Sequence, residues 1–153
     1  MNTKTDASYG MIPLRKTEVG WQTLLINQFS RIGNNTYWVF PKGHEEGEKS
    51  LLEAATRELH EETGLTATSI LAEPQFVIEY SFIFKETKIE KTVTFYLALI
   101  EGDPELTLDP EEVREADWFT LTDAEKRVDY NGTKRTVREV ARFLEENPEP
   151  RWR

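Results

Sequence analysis

One helix in this sequence is punctuated at both ends, and the segments around it are written as strands. Ser50-Leu51-Leu52-Glu53 is a capping box, in which the Ser50 hydroxyl and the Glu53 carboxylate satisfy backbone N–H groups left free where a helix begins. Gly64 closes the helix, because glycine takes the left-handed C′ position at little cost. Between them, Leu52, Ala55 and Leu59 recur at helical spacing and form a buried face. Before this helix, residues 8–14 and 21–28 read as strands. Gly33-Asn34-Asn35 is a turn into the aromatic run 37–40, and 41–48 is a loop. After it, residues 75–84 and 90–101 predict an antiparallel pair across a turn near 85–88, and 116–120 a short strand. Thr122-Asp123-Ala124-Glu125 is a second capping box, which predicts a short helix. Residues 134–146 predict a last helix with Val137, Val140, Ala141 and Leu144 inward. Strands, helix, strands, helix in that order imply an α+β fold, a mixed β-sheet flanked by helices.

A chain of 153 residues fits one domain, 1–153, with the polar ends 1–6 and 147–153 expected to fray. The absence of cysteine excludes disulfides, zinc-thiolate sites and a thiol nucleophile. No apolar run reaches membrane-spanning length, and the N-terminus has no apolar signal-peptide core, so the expected location is cytoplasmic. A net charge of −9 repels long nucleic acid. A small polyphosphate is different, because a few local cations can hold it while the bulk surface stays acidic. Monomer and homodimer are both compatible with the sequence.

Glu58, Glu61 and Glu62 stand at i, i+3 and i+4, within an arc of roughly 100° on the helix. Each like-charge pair costs about 0.2–0.5 kcal/mol on an isolated helix. The three acids also lie toward the C-terminal end, where the helix dipole disfavours anions. Alone, they read first as a solvated acidic face, with Arg57 pairing Glu53 or Glu61. The sharper reading is a site for a hard divalent cation with oxygen ligands.

The loop before the helix decides between these. From Gly43 to Leu65 the chain resembles the Nudix box, G-x5-E-x7-R-E-U-x-E-E-x-G-U, where U is aliphatic. Gly43, Arg57, Glu58, Leu59, Glu61, Glu62, Gly64 and Leu65 all fall on their pattern positions. The resemblance implies a Nudix-type α/β/α sandwich and a hydrolase that cleaves a phosphoanhydride bond. It implies that Glu58, Glu61 and Glu62 hold Mg²⁺ (or Mn²⁺), with the Gly43 carbonyl as a further ligand. Catalysis is then carried by Glu58, Glu62 and Arg57, with either Glu58 or Glu62 accepting the proton. Nudix enzymes often add an acid from a later loop; Glu112 is the first choice here and Glu111 the second. One position departs from the pattern: Lys49 stands where the box has the glutamate that supports the motif arginine. Glu48, Glu53 or a neighbour must then take that role.

Outside the box, Phe40-Pro41-Lys42-Gly43-His44 and the strand Lys91-Thr92-Val93-Thr94-Phe95-Tyr96-Leu97-Ala98 resemble the dinucleoside polyphosphate hydrolase subgroup, and Tyr9-Gly10 fits it too. The resemblance implies asymmetric cleavage of diadenosine tetraphosphate to ATP and AMP. Lys42, His44 and Lys91 then contact phosphates and Tyr80 stacks on a base. Each has a plainer structural role open to it: Lys91 as an edge-strand lysine, Tyr80 as packing, His44 as an exposed loop residue. Removal of pyrophosphate from RNA 5′ ends, cleavage of diphosphoinositol phosphates and a non-catalytic nucleotide sensor are the alternative functions.

Overall fold

The computed structural model describes residues 1–30 and 33–153. Among the described residues, seven strands and three helices follow in the order β1 (Asn2–Thr17), β2 (Gly20–Phe29), β3 (Thr36–Val39), β4 (Lys42–Gly43), α1 (Leu51–Thr63), β5 (Ser69–Phe84), β6 (Thr87–Leu99), β7 (Val113–Thr120), α2 (Leu121–Arg127) and α3 (Asn131–Glu146). One sheet contains every strand, in the order β3-β2-β1-β6-β5, with β4 added to β1 and β7 to β2. β1 runs parallel to β6, and all other pairs are antiparallel. This is the mixed sheet flanked by helices that the element order implies.

The pleat sends alternate residues to opposite faces, and each face has its own core. Met11, Leu24, Tyr96 and Ala98 meet Ala55 and Leu59 of α1. On the other face Ile12, Leu25, Val93 and Phe95 meet Val137, Val140 and Leu144 of α3. Fully burying a Leu or Val side chain of this kind contributes about 1.5–3 kcal/mol. Ala141, expected inward, is only half-buried. Among the described residues, no helix is long and apolar enough to cross a membrane.

Several boundaries move for physical reasons. β1 begins earlier than expected: Asn2 to Asp6 form ladder pairs with Thr87 to Lys91 of β6. The C-terminal end is also held, since Ile70 and Arg153 exchange backbone hydrogen bonds at 2.7 and 3.1 Å and Trp152 packs on Trp21. The β5–β6 turn is tighter than expected. Lys85 and Glu86, at φ 48° and 63°, make a two-residue hairpin loop whose twist suits the flanking strands. β5 starts earlier, at Ser69, with a bulge between Leu71 and Phe76 that absorbs Pro74. The cap of α2 is Thr120, not Thr122, and its side chain accepts the Asp123 N–H. Two overlapping capping patterns are present, and the chain uses the one at the point where it leaves β7.

Candidate active site

β4 is two residues long and lies beside β1, pairing Tyr9 with Gly43 and Gly10 with Lys42. This addition brings the loop before α1 against the α1 face of the sheet. A Cβ on Gly43 would sit 2.1–2.3 Å from the carboxylate of Glu58, so any side chain there must displace Glu58 or the loop. Gly10 is constrained in the same way, with the Pro41 carbonyl 2.2 Å from where its Cβ would be.

Arg57 organises the loop. Its Nε donates to Glu48, its Nη1 to Glu58 at 2.8 Å and to Glu61 at 3.0 Å, and its Nη2 to the His44 carbonyl at 2.6 Å. Glu46 adds an ion pair at 3.1 Å. Glu48 therefore does what the box glutamate does elsewhere, one residue early. Gly47, at φ 88°, makes the turn before it, and the Glu46 N–H donates to its other oxygen at 2.6 Å. The Arg57 bond, with that N–H, holds the Glu48 carboxyl down to about 2. Lys49 points to solvent, and Glu53 does not take part. Burial works against the Arg57 charge, yet Glu48, Glu58 and Glu61 hold its pKa above that of an ordinary arginine.

The three helix glutamates separate. At 100° per residue, Glu62 lies about 40° from Glu58 toward the Ala55–Leu59 core face, whereas Glu61 lies about 60° away on the other side. Glu62 is accordingly 4 % exposed, while the Glu61 side chain is 52 % exposed and turned to Arg57. Glu62 accepts the Lys42 backbone N–H at 3.2 Å. Burial first, and then the charge of Glu58, push its carboxyl up to about 8. Glu58 is raised too, by burial, against the pull of Arg57. The acidic loop folds onto the end of α1: the Thr107 N–H donates to the Thr63 carbonyl at 2.8 Å and the Asp109 N–H to the Glu62 carbonyl at 3.3 Å. That contact brings Glu112 close enough for its charge to act on Glu62. Glu111 instead turns its N–H to the Asp109 side chain.

Lys91 and His44 both converge on Asp6. Lys91 Nζ donates to Asp6 and to Ser8, each at 2.6 Å, and is 7 % exposed. The His44 Nε2 lies 3.0 Å from Asp6. Lys91 is thus a buried, paired lysine rather than an edge-strand lysine in solvent. Tyr80 is Lys91's partner across the β5–β6 ladder and is 47 % exposed, stacked on Phe82. By strand alternation with Val93 and Phe95, Lys91 and Asp6 lie on the α3 face of the sheet, opposite α1. Asp6 escapes sequence reading because it lies in a short polar stretch before the expected strand, and Ser8, within that strand, carries no motif. Tyr130, half-exposed before α3 and 5.3 Å from Tyr37, is a further aromatic group near Tyr80 that the sequence does not single out.

Glu58, Glu62 and Glu112, with the Gly43 backbone, are a hard-oxygen donor set. They surround a buried carboxylate whose ionisation needs a counter-charge, and that chemistry suits Mg²⁺ or Mn²⁺. Among the described residues, no three acidic or imidazole groups already stand close enough to enclose an ion. Arg57 holds Glu58 and Glu61 meanwhile as an internal cation.

The NUDIX domain matches residues 5–140. The rat bis(5′-nucleosyl)-tetraphosphatase (asymmetrical) is 32 % identical over 113 residues, which are 73 % of this chain and 75 % of that protein. The crystal structure of a C. elegans Ap4A hydrolase binary complex superposes with a TM-score of 0.77 at 25 % identity, covering 92 % of this chain and 98 % of the other. The NUDIX domain of Shewanella oneidensis NrtR, complexed with ADP ribose, shares the fold with a TM-score of 0.73 at 15 % identity, over 92 % and 89 % of the two chains. With its box, its sheet and these relatives in agreement, the chain belongs to the Nudix hydrolase family and is a pyrophosphohydrolase.

Proposed function

We propose that this enzyme cleaves dinucleoside polyphosphates asymmetrically, diadenosine tetraphosphate to ATP and AMP, with Mg²⁺ held by Glu58, Glu62 and Glu112 and by the Gly43 carbonyl. Glu61 is placed to join from the rim. The observation that carries the reading is the Glu62 carboxylate, 4 % exposed, beside Glu58 and near Glu112. Ionising a buried carboxylate beside two other acids is favourable only with a cation among them. When bound, Mg²⁺ supplies charge neutralisation of the phosphate oxygens and an acidified water. Arg57 fixes Glu58 and the loop carbonyl of His44 relative to one another. Glu58, half-buried and bonded to Arg57 through one oxygen, is the better general base, because Glu62 is enclosed by the loop. Lys42, His44 and Lys91 take the phosphates beyond, and Tyr80 takes a base on its exposed face.

The substrate choice is supported by the two relatives named for asymmetric tetraphosphate and Ap4A hydrolysis. The test is turnover of a panel in ¹⁸O-labelled water with Mg²⁺ and with EDTA. The panel holds diadenosine tetraphosphate, ADP-ribose, nucleoside triphosphates and a 5′-triphosphorylated RNA. Metal-dependent release of AMP and ATP, with the label in one of them, is expected. Faster release of pyrophosphate from the RNA would overturn the substrate, and turnover unaffected by EDTA would overturn the metal site.

A further inference from the structure

Asp6 stands between Lys91 and His44, which reach it from opposite flanks of β1. Lys91 comes from β6, in a parallel register that pairs Asp6 with Lys91 and Ser8 with Val93. His44 comes from the β4 side, one residue after the Gly43 that pairs with Tyr9. Both carboxylate oxygens are used: Oδ1 by His44 at 3.0 Å, and Oδ2 by Lys91 at 2.6 Å and by His44 at 3.1 Å. Asp6 itself is the open member of the group, 38 % exposed at its side chain against 7 % for Lys91.

We propose that Asp6 is a specificity-determining residue, an internal stand-in for a phosphate group whose carboxylate occupies the place between Lys91 and His44 until a polyphosphate long enough to reach it competes for that place. The inference rests on the reading that Lys91 and His44 take phosphates far from the metal. A carboxylate held by a lysine and an imidazole nitrogen resembles a bound phosphate in charge sign and in its oxygen acceptors. Without it, Lys91 would bury an unpaired charge, which is costly. With it, Lys91 and His44 stay aimed at one point, but a second anion arriving there meets like charge. Substrates too short to reach this row of the sheet are indifferent to Asp6. The device therefore lowers affinity for long chains selectively and sharpens the chain length at which binding turns favourable. The ladder makes the placement exact in register: a slip of one residue would turn Asp6 to the α1 face, away from Lys91.

The test is Asp6→Asn, which removes the charge but leaves an oxygen to accept from Lys91. The KM for diadenosine tetraphosphate should fall about three- to tenfold with kcat little changed, as expected for one like charge removed at a partly solvated site. The KM for ADP-ribose should stay within about twofold. Asp6→Glu, which keeps the charge, should not show the gain. An unchanged or raised KM for the tetraphosphate in Asp6→Asn, or an equal gain in Asp6→Glu, overturns the inference while the proposed function stands. If the wild type does not turn over dinucleoside polyphosphates, the proposed function fails instead. Inorganic tripolyphosphate, titrated calorimetrically without metal, then decides the matter for Asp6: tighter binding to Asp6→Asn upholds the stand-in, and equal binding sinks it. Thermal unfolding of each variant shows that the fold is kept.

Discussion

Glu62→Gln tests the central electrostatic claim without any substrate. The Glu62 carboxyl is 4 % exposed and is pushed up to about 8 by burial and by Glu58. In the unfolded chain it returns to an ordinary value near 4.5. A group whose pKa is raised by folding contributes its full stability below the unfolded value and loses it as pH climbs through the folded one. In EDTA, then, wild-type stability carries a penalty that starts near pH 4.5, grows toward pH 8 and levels off above it. At about 1.4 kcal/mol per pH unit, the ceiling on this penalty is on the order of 5 kcal/mol. Relaxation and water entry reduce it, so a realised 2–3 kcal/mol is a fair working figure. Glutamine keeps an acceptor for the Lys42 N–H and cannot ionise. The difference in melting temperature between Glu62→Gln and wild type should therefore widen in the variant's favour from pH 5 to pH 8.5. At roughly 2–4 °C per kcal/mol for a chain of this size, the widening is about 5–10 °C. Millimolar Mg²⁺ should close the gap from the wild-type side, by stabilising the ionised carboxylate. Differential scanning fluorimetry across pH, with EDTA or Mg²⁺, reads both effects. Two parallel pH profiles in EDTA would refute the buried-carboxylate argument, and a closed gap without metal would refute the role assigned to the cation.

Two further perturbations separate the loop's parts. Glu48→Ala removes the Arg57 Nε partner and should lower turnover about tenfold or more, whereas Lys49→Glu, at an exposed position, should change it by less than about threefold. Steady-state kinetics on the two variants check this, and a larger loss in Lys49→Glu would return the arginine-supporting role to the motif position. Gly43→Ala places a methyl group 2.1 Å from the Glu58 carboxyl carbon, so the loop or Glu58 must shift by about an ångström. Turnover should drop about a hundredfold while far-UV circular dichroism is unchanged; near wild-type activity would detach Gly43 from the site.

The α1 helix was legible because its signals are local. The Ser50 hydroxyl accepts the Glu53 N–H three residues on, and Gly64 takes the left-handed conformation with its N–H on the His60 carbonyl, so both cap the helix as the sequence implies. The alternation of β6 likewise shows a strand whichever neighbours it finds. Boundaries set by tertiary pairing were not legible. Asn2 to Asp6 are polar and carry no strand pattern, and only the parallel ladder to β6 orders them. Ile70 and Arg153 meet across most of the chain's length.

The site divides in the same way, and the division explains its surprises. Spacing along one helix places Glu58, Glu61 and Glu62 on one broad side, but the 100° step alone cannot say which edge of that side faces the core. Packing of Ala55 and Leu59 decides it, so Glu62 is drawn in and Glu61 is left at the rim with Arg57. The substituted motif position follows the same logic. Arg57 is long and donates in several directions, so what it requires is a carboxylate at a point in space. Gly47 turns the chain early enough for Glu48 to reach that point, and Lys49 is released to solvent. A motif read as letters registers a defect there, whereas the loop geometry conserves the charge pair. Asp6 is the converse case: no motif marks it, yet Lys91 from β6 and His44 from the loop after β4 converge on it. In this chain, then, charges local to the helix follow from sequence spacing, and charges that meet across the sheet follow only from the register of β1 against β6 and β4.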